Sequence, residues 1–194
     1  VATITGIADG AQHCYLVRAF DAVGNPDSNA AVVCGAPAPG AVPRYPFADD
    51  FEAGTLGPGW QLFGSGRARV TGEQGAWQGS GALVLDDPVA DGEQEPVAAV
   101  LVIDLAGATN VVVRFHFRSL GDEPHPLPAR FSDFAAGDGV AISPDGIEWV
   151  RILDLAAAAQ GVWRPAAIAL DPIMEELGWD YTERFRIGFF QVDN

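Results

Sequence analysis

Lysine is missing from this 194-residue chain; all 11 basic side chains are arginine, set against 26 aspartates and glutamates for a net charge of −15. Such a surface repels phosphate backbones, so nucleic acid is excluded as an expected partner, and anionic membranes are disfavoured for the same reason. It keeps the chain soluble and favours cations. Cysteine is scarce too, with only Cys14 and Cys34, and methionine occurs once. No apolar run reaches the roughly 18 to 20 residues that span a bilayer, so membrane insertion is not expected. No long 3.6-residue amphipathic pattern runs through the chain, which argues against a helical scaffold. The three histidines, His13, His116 and His125, lie far apart and form no HExxH zinc pattern, and His125, between Pro124 and Pro126, reads as part of a surface turn. GxSxG and phosphate-binding loops are absent as well.

What is present is hydrophobicity cut by turns. Apolar residues make up 48 % of the chain, alongside 23 glycines and 14 prolines. Short apolar runs between frequent turn residues point to an all-β fold. Three segments emerge. Residues 1–36 hold an alternating strand from His13 to Phe20, the turn DAVGNPDSN, and a short strand from Ala30 to Cys34. Two strands alone bury too little surface to be stable. Residues 37–46 form a proline-rich, extended linker. Residues 47–194 carry strand candidates in quick succession.

In that last segment Val111, Val113, Phe115 and Phe117 face a core, while Arg114, His116 and Arg118 face the other way. Phe185 to Val192 alternates likewise. A short helix is expected over Pro172–Leu177, capped by Asp171 with Pro172 in its first turn. Ser143-Pro144-Asp145-Gly146 reads as a tight turn that returns Trp149 to the core.

Two resemblances follow from the residues. Ile4-Thr5-Gly6-Ile7, Asp9-Gly10, Tyr15-x-Val17-Arg18-Ala19-x-Asp21-x-x-Gly24-Asn25 and Ser28-Asn29 resemble the C-terminal half of a fibronectin type III domain, common in secreted bacterial proteins. That family is a spacer and adhesion module without catalytic residues. The resemblance sets Cys14 and Cys34 on adjacent strands, where a disulfide is the natural reading; two buried thiols are the alternative. The last segment, residues 47–194, resembles the jelly-roll modules of the MAM and concanavalin-like superfamily, which are antiparallel β-sandwiches. Asp49-Asp50-Phe51-Glu52-x-Gly54 with Trp60, Gly81-x-Leu83-x-Leu85, Leu101-x-Ile103-Asp104-Leu105, Gly137-Asp138-Gly139-Val140 through Trp149, and Phe185 through Asp193-Asn194 carry it. Both resemblances suggest a piece of a longer secreted or surface protein. The first module reads as lacking its front half and the second its last strand, so neighbouring domains or identical subunits are the expected partners.

Related jelly rolls hold a structural ion between their first and last strands, which makes Asp50, Glu52 and Asp193 candidate calcium ligands, since hard cations need several oxygens. Phe51 reads as part of a strand, and in strand geometry Asp50 and Glu52 point to the same side. Asp86, Asp87, Asp91, Glu93 and Glu95 form a second acidic group. Glu93 and Glu95 alternate as a glycosidase pair would, but Gly92 and Pro96 bracket them as a loop, a poor frame for a fixed carboxylate separation. Among the tryptophans, Trp149 and Trp163 fall in strand patterns and are expected in the core. Trp77 between Gly75 and Gly79, and Trp179 beside Tyr181, fall in loops and are the candidate glycan-binding aromatics. The expectation is a non-catalytic extracellular or cell-surface module, for structure, adhesion or assembly, as in a filament subunit completed by a neighbour's strand. Its alternative is a carbohydrate-binding accessory of a secreted hydrolase.

Overall fold

The stretch EPVAAVLVI is apolar almost without a break, and that continuity reflects a strand covered on both faces. In the computed structural model, which describes residues 42–87, 93–121 and 123–193 together with residue 23 and the strand backbones at 13–16 and 32–35, it forms strand β6 (Glu95–Ile103). The chain divides into two units, Val1–Gly40 and Ala41–Asn194.

In the first unit β1 (His13–Leu16) pairs antiparallel with β2 (Val32–Gly35). The register sets Cys14 directly opposite Cys34, and facing positions of an antiparallel pair lie within the Cα separation a disulfide spans. The cysteine side chains, Phe20 and the expected turn at 24–29 lie outside the described residues.

The second unit is an all-β sandwich with one short helix. Its main sheet contains β3 (Trp60–Gly64), β6, β12 (Phe185–Asp193), β9 (Gly139–Ser143), β10 (Glu148–Asp154) and β8 (Arg130–Ser132), in that spatial order and antiparallel throughout. Two further pairs accompany it: β4 (Arg67–Thr71) with β5 (Ala82–Asp86), and β7 (Val112–Phe117) with β11 (Arg164–Ala169). Residues 42–46, expected within the extended linker, fall in this unit: Pro43 accepts a bond from the Asp104 amide at 2.9 Å, and Arg44 bridges Asp104.

Period-two alternation sends one half of the central strands to each face. Leu101, Ile103, Val140, Ile142, Phe185 and Ile187 form one cluster, against which Val113 and Phe115 of β7 and Ile168 of β11 pack. The opposite face carries Ala98, Val100, Ala141, Trp149 and Phe190, covered by Leu127, Phe131 and Ala135 from a segment with only one short strand. Trp149 and Phe131 lie parallel with centroids 6.0 Å apart, and Phe190 meets both edge-on at 5.4 and 5.3 Å. Gly188 leaves the room for this cluster: a Cβ there would sit 2.5 Å from the Phe190 ring and 3.0 Å from Trp149.

Helix α1 (Asp171–Leu177) forms where expected, but Asp171 does not cap it. The cap position is Leu170, and Asp171 reaches away to the amides of Asn110 (2.6 Å) and Val111 (3.0 Å) and to the Tyr181 hydroxyl (2.7 Å). One acid thereby ties the helix to the loop before β7. Phe51, expected in a strand, has φ 60°, a left-handed conformation in a turn.

Gly188→Ala tests the aromatic cluster. Overpacking of this kind costs about 1 to 3 kcal/mol, so the urea midpoint falls with an unchanged m-value; wild-type stability in this variant contradicts the packing described.

Candidate functional site

The acidic opening of the second unit is a set of clasps. Asp49 accepts the Phe51 amide at 3.0 Å through one oxygen and the Trp60 indole at 2.9 Å through the other. Asp50 accepts the Glu52 amide at 3.1 Å. Glu52 reaches across to the other end of β5: its carboxylate takes the amides of Ser80 and Gly81 at 2.8 and 2.9 Å and the Ser80 hydroxyl at 2.7 Å. The Gly81 amide, then Ser80, hold the Glu52 carboxyl below its ordinary range. Asp193, at the end of β12, accepts the Asp87 amide at 3.1 Å. The expected calcium ligands Asp50, Glu52 and Asp193 are therefore engaged separately. Among the described residues no three acidic, histidine or cysteine side chains gather into a group able to hold a metal ion. The expectation that Asp50 and Glu52 project to one side of a strand fails because Phe51 breaks the extended backbone.

Of the expected glycan-binding aromatics, the structure separates Trp77 from the other two. Trp179 packs against the core, and Tyr181 donates to Asp171 while meeting Phe185 edge-on at 5.5 Å. Burial, and then the Asp171 carboxylate, push the Tyr181 phenol up. Both are structural residues. Trp77 is 54 % exposed.

Trp77 lies on the loop 72–81 between β4 and β5, far longer than the roughly two to five residues usual in a hairpin. Such a loop would sample many conformations, yet this one is tied at several points. Glu52 holds its C-terminal end through Ser80 and Gly81. The Arg118 guanidinium donates to the Gln74 carbonyl. Trp77 itself stacks on His116, with ring centroids 4.2 Å apart and planes 9° from parallel. Gly75 and Gly79 adopt φ of 73° and 70°, and at Gly79 a Cβ would also strike the Glu52 carboxylate at 2.3 Å.

His116 and Arg118 project from the outer face of β7 with Arg114, as the alternation predicts. Arg118 lies 4.9 Å from the centre of the Trp163 ring. Trp163, expected in the core, is half-buried just before β11 and supports this arginine instead. The outer face of β7 is thus an island of cations and aromatics on an anionic protein. Sequence reasoning found its members singly: Trp77 by its glycines, the β7 cations by period two. Their meeting is a contact across about forty residues that no local pattern carries.

Asp138 is a further polar site. Its two oxygens accept the amides of His125 (2.8 Å) and Val192 (3.1 Å), and Pro126 forms a bridge with it. His125, expected in a bland surface turn, is half-buried, with Nε2 3.0 Å from Gln94. Burial raises the Asp138 carboxyl, and the two amides do not fully offset this. Glu95 lies within β6 and not in a loop, opposite Asp193. In the turn before β10, Ser143 accepts the Gly146 amide at 2.7 Å, and Asp145 accepts those of Ile147 and Glu148 at 2.8 and 3.1 Å. The turn is structural, as its sequence implies.

Compared with models of protein families, with curated proteins and with solved structures, the chain matches none. The class the fold defines is an all-β sandwich.

The clasps set the acid response. At Asp145 and Asp86 burial alone would raise the carboxyl; at Asp145 the backbone amides, and at Asp86 the guanidinia of Arg67 and Arg69, outweigh it and lower it. Glu52 and Asp171 are lowered as well, Asp171 chiefly by Tyr181. A group held low in the fold contributes stability above its unfolded value, about 4, and loses it as pH falls through its folded value. Asp138 acts oppositely: its charge costs the fold stability, and protonation relieves that cost. Four clasps outweigh one, so the urea midpoint is lower at about pH 3 than at pH 6, and Asp145→Ala shrinks the difference. An equal midpoint at both pH values contradicts this.

Proposed function

We propose that this chain is a non-catalytic module of a larger secreted or surface protein, serving structure, adhesion or assembly outside the cell. The observation that carries this reading is the use made of the acids. Asp49, Glu52, Asp86, Asp138, Asp145 and Asp171 each bind amides, an indole, a hydroxyl or guanidinia of the fold itself. Carboxylates already bonded within the scaffold serve rigidity; acid–base work needs them directed at a substrate. The Cys14–Cys34 register supports an oxidising compartment, where a cross-strand disulfide would restrain the first unit. Among the described residues β3 is paired on one side only, by β6, and this open edge of the main sheet supports an assembly role, because unpaired strand edges accept further strands. The fibronectin-like and MAM-like resemblances support the same setting.

A second reading, a carbohydrate-binding accessory module, is favoured by one observation: Trp77 is a large, exposed aromatic on a loop that the scaffold holds in place.

Two measurements on the whole chain test the first reading. Secreted through an oxidising compartment, the protein exposes no reactive thiol in denaturant until a reductant is added. Incubated with a panel of soluble polysaccharides, it releases no reducing ends. Two free thiols, or product release that Glu93→Gln abolishes, would overturn it.

A further inference from the structure

The outer face of β7 combines three features that define a ligand chemistry. The first is a flat aromatic surface. One face of Trp77 is covered by His116, and the residue is still 54 % exposed. The second is a free guanidinium. Arg114 is exposed and has no ion-pair or hydrogen-bond partner among the described residues, unlike Arg67, Arg69 and Arg151, which pair with Asp86, Asp86 and Asp154. It stands two residues from His116 on the same face, about 6.6 Å along the strand. The third is preorganisation. Arg118 is fixed between Gln74 and Trp163, and its Nε is buried without a hydrogen-bond partner among the described residues.

We infer that this face binds a saccharide carrying a carboxylate or a sulfate: a pyranose ring stacks on Trp77 while its anionic substituent meets Arg114. The inference rests on the second functional reading and names its site and ligand class. A sugar ring presents one apolar C–H face and a rim of hydroxyls, which suits an exposed indole beside N–H donors. The planar guanidinium forks onto a carboxylate or sulfate. Charge density then selects among anions. The chain carries −15 overall, and the cationic island acts only over about a Debye length, roughly 8 Å at physiological salt. It suits one anionic group on a ring. It does not suit a continuous phosphate track, which needs many paired cations. Ordering the 72–81 loop before binding removes an entropy cost the ligand would otherwise bear.

Calorimetric titration of the full chain tests the assignment with five probes: trigalacturonate, its methyl ester, a sulfated galactan oligosaccharide, neutral maltotriose and a short single-stranded oligonucleotide. The carboxylated or the sulfated probe binds about tenfold or more tightly than the neutral ones, and whichever of the two is tighter names the anion. Trp77→Ala weakens binding about tenfold or more, as loss of a central aromatic anchor does, and Trp77→Phe restores part of it. Arg114→Gln brings trigalacturonate down to the level of its methyl ester. Arg130→Gln, an exposed arginine on β8, has no effect. Trp77 and Arg114 are exposed, so each variant keeps the wild-type melting temperature. The assignment is overturned if no saccharide binds at millimolar concentration, if Trp77→Ala binds like wild type, if neither the carboxylated nor the sulfated probe binds more tightly than the neutral ones, if Arg130→Gln weakens binding as Arg114→Gln does, or if the oligonucleotide binds best. Absent saccharide binding with thiols protected and no product released sinks this site and leaves the module reading intact. Product release sinks the module reading and leaves a Trp77-dependent affinity standing.

Discussion

Pairing of β6 with β12 is the constraint on which the second unit depends. The register runs unbroken from Phe185 opposite Ile103 to Asp193 opposite Glu95. β3 attaches to one side of this pair and β9 to the other. Because register fixes which face each residue meets, slipping one position would exchange Phe185 and Ile187 with Arg186 and Gly188 across the sheet. Both faces are apolar at the centre, so such a slip would drive Arg186 into a core and push the Gly188 gap away from Trp149 and Phe190. The pairing therefore specifies two cores at once.

From that sheet the polar residues follow as ties. Asp138 catches the Val192 amide beyond the last β9–β12 pair, extending the hold on β12 through a side chain. Asp171 joins helix to loop and Asp145 closes the turn into β10. Glu52 and Arg118 hold opposite ends of the 72–81 loop, and His116 supports its tryptophan. Fixing that loop matters because exposed loops on a rigid scaffold are where binding surfaces arise. Glu52, a candidate calcium ligand by sequence, thus acts on the surroundings of Trp77 indirectly, through loop position.

Much of this was legible in the sequence. Val113, Phe115 and Phe117 against Arg114, His116 and Arg118 predicted the two faces of β7, because side chains alternate in an extended backbone. Ser143 to Gly146 predicted its turn from local chemistry alone, and Asp171-Pro172 marked the helix within one residue. Three things were not legible. The cover over Trp149 and Phe190 comes from Leu127 and Phe131, in a segment whose prolines and polar residues show little periodicity. Left-handed Phe51 breaks a stretch that reads as extended, which undid the common side expected for Asp50 and Glu52. The destinations of Glu52 and Trp77 lie on strands remote in sequence, and pairings of that range depend on tertiary register, which no local window contains.

The central claim is that the Glu52 carboxylate holds the 72–81 loop of this sandwich in place. Backbone amide hydrogen exchange measured in the whole chain, with Glu52→Gln beside wild type, tests it most directly. The account predicts slow exchange at Ser80 and Gly81 in the wild type, lost in the variant, with the β6 and β12 amides unchanged in both. Fast exchange at Ser80 and Gly81 in the wild type, or identical protection in the two proteins, would contradict it.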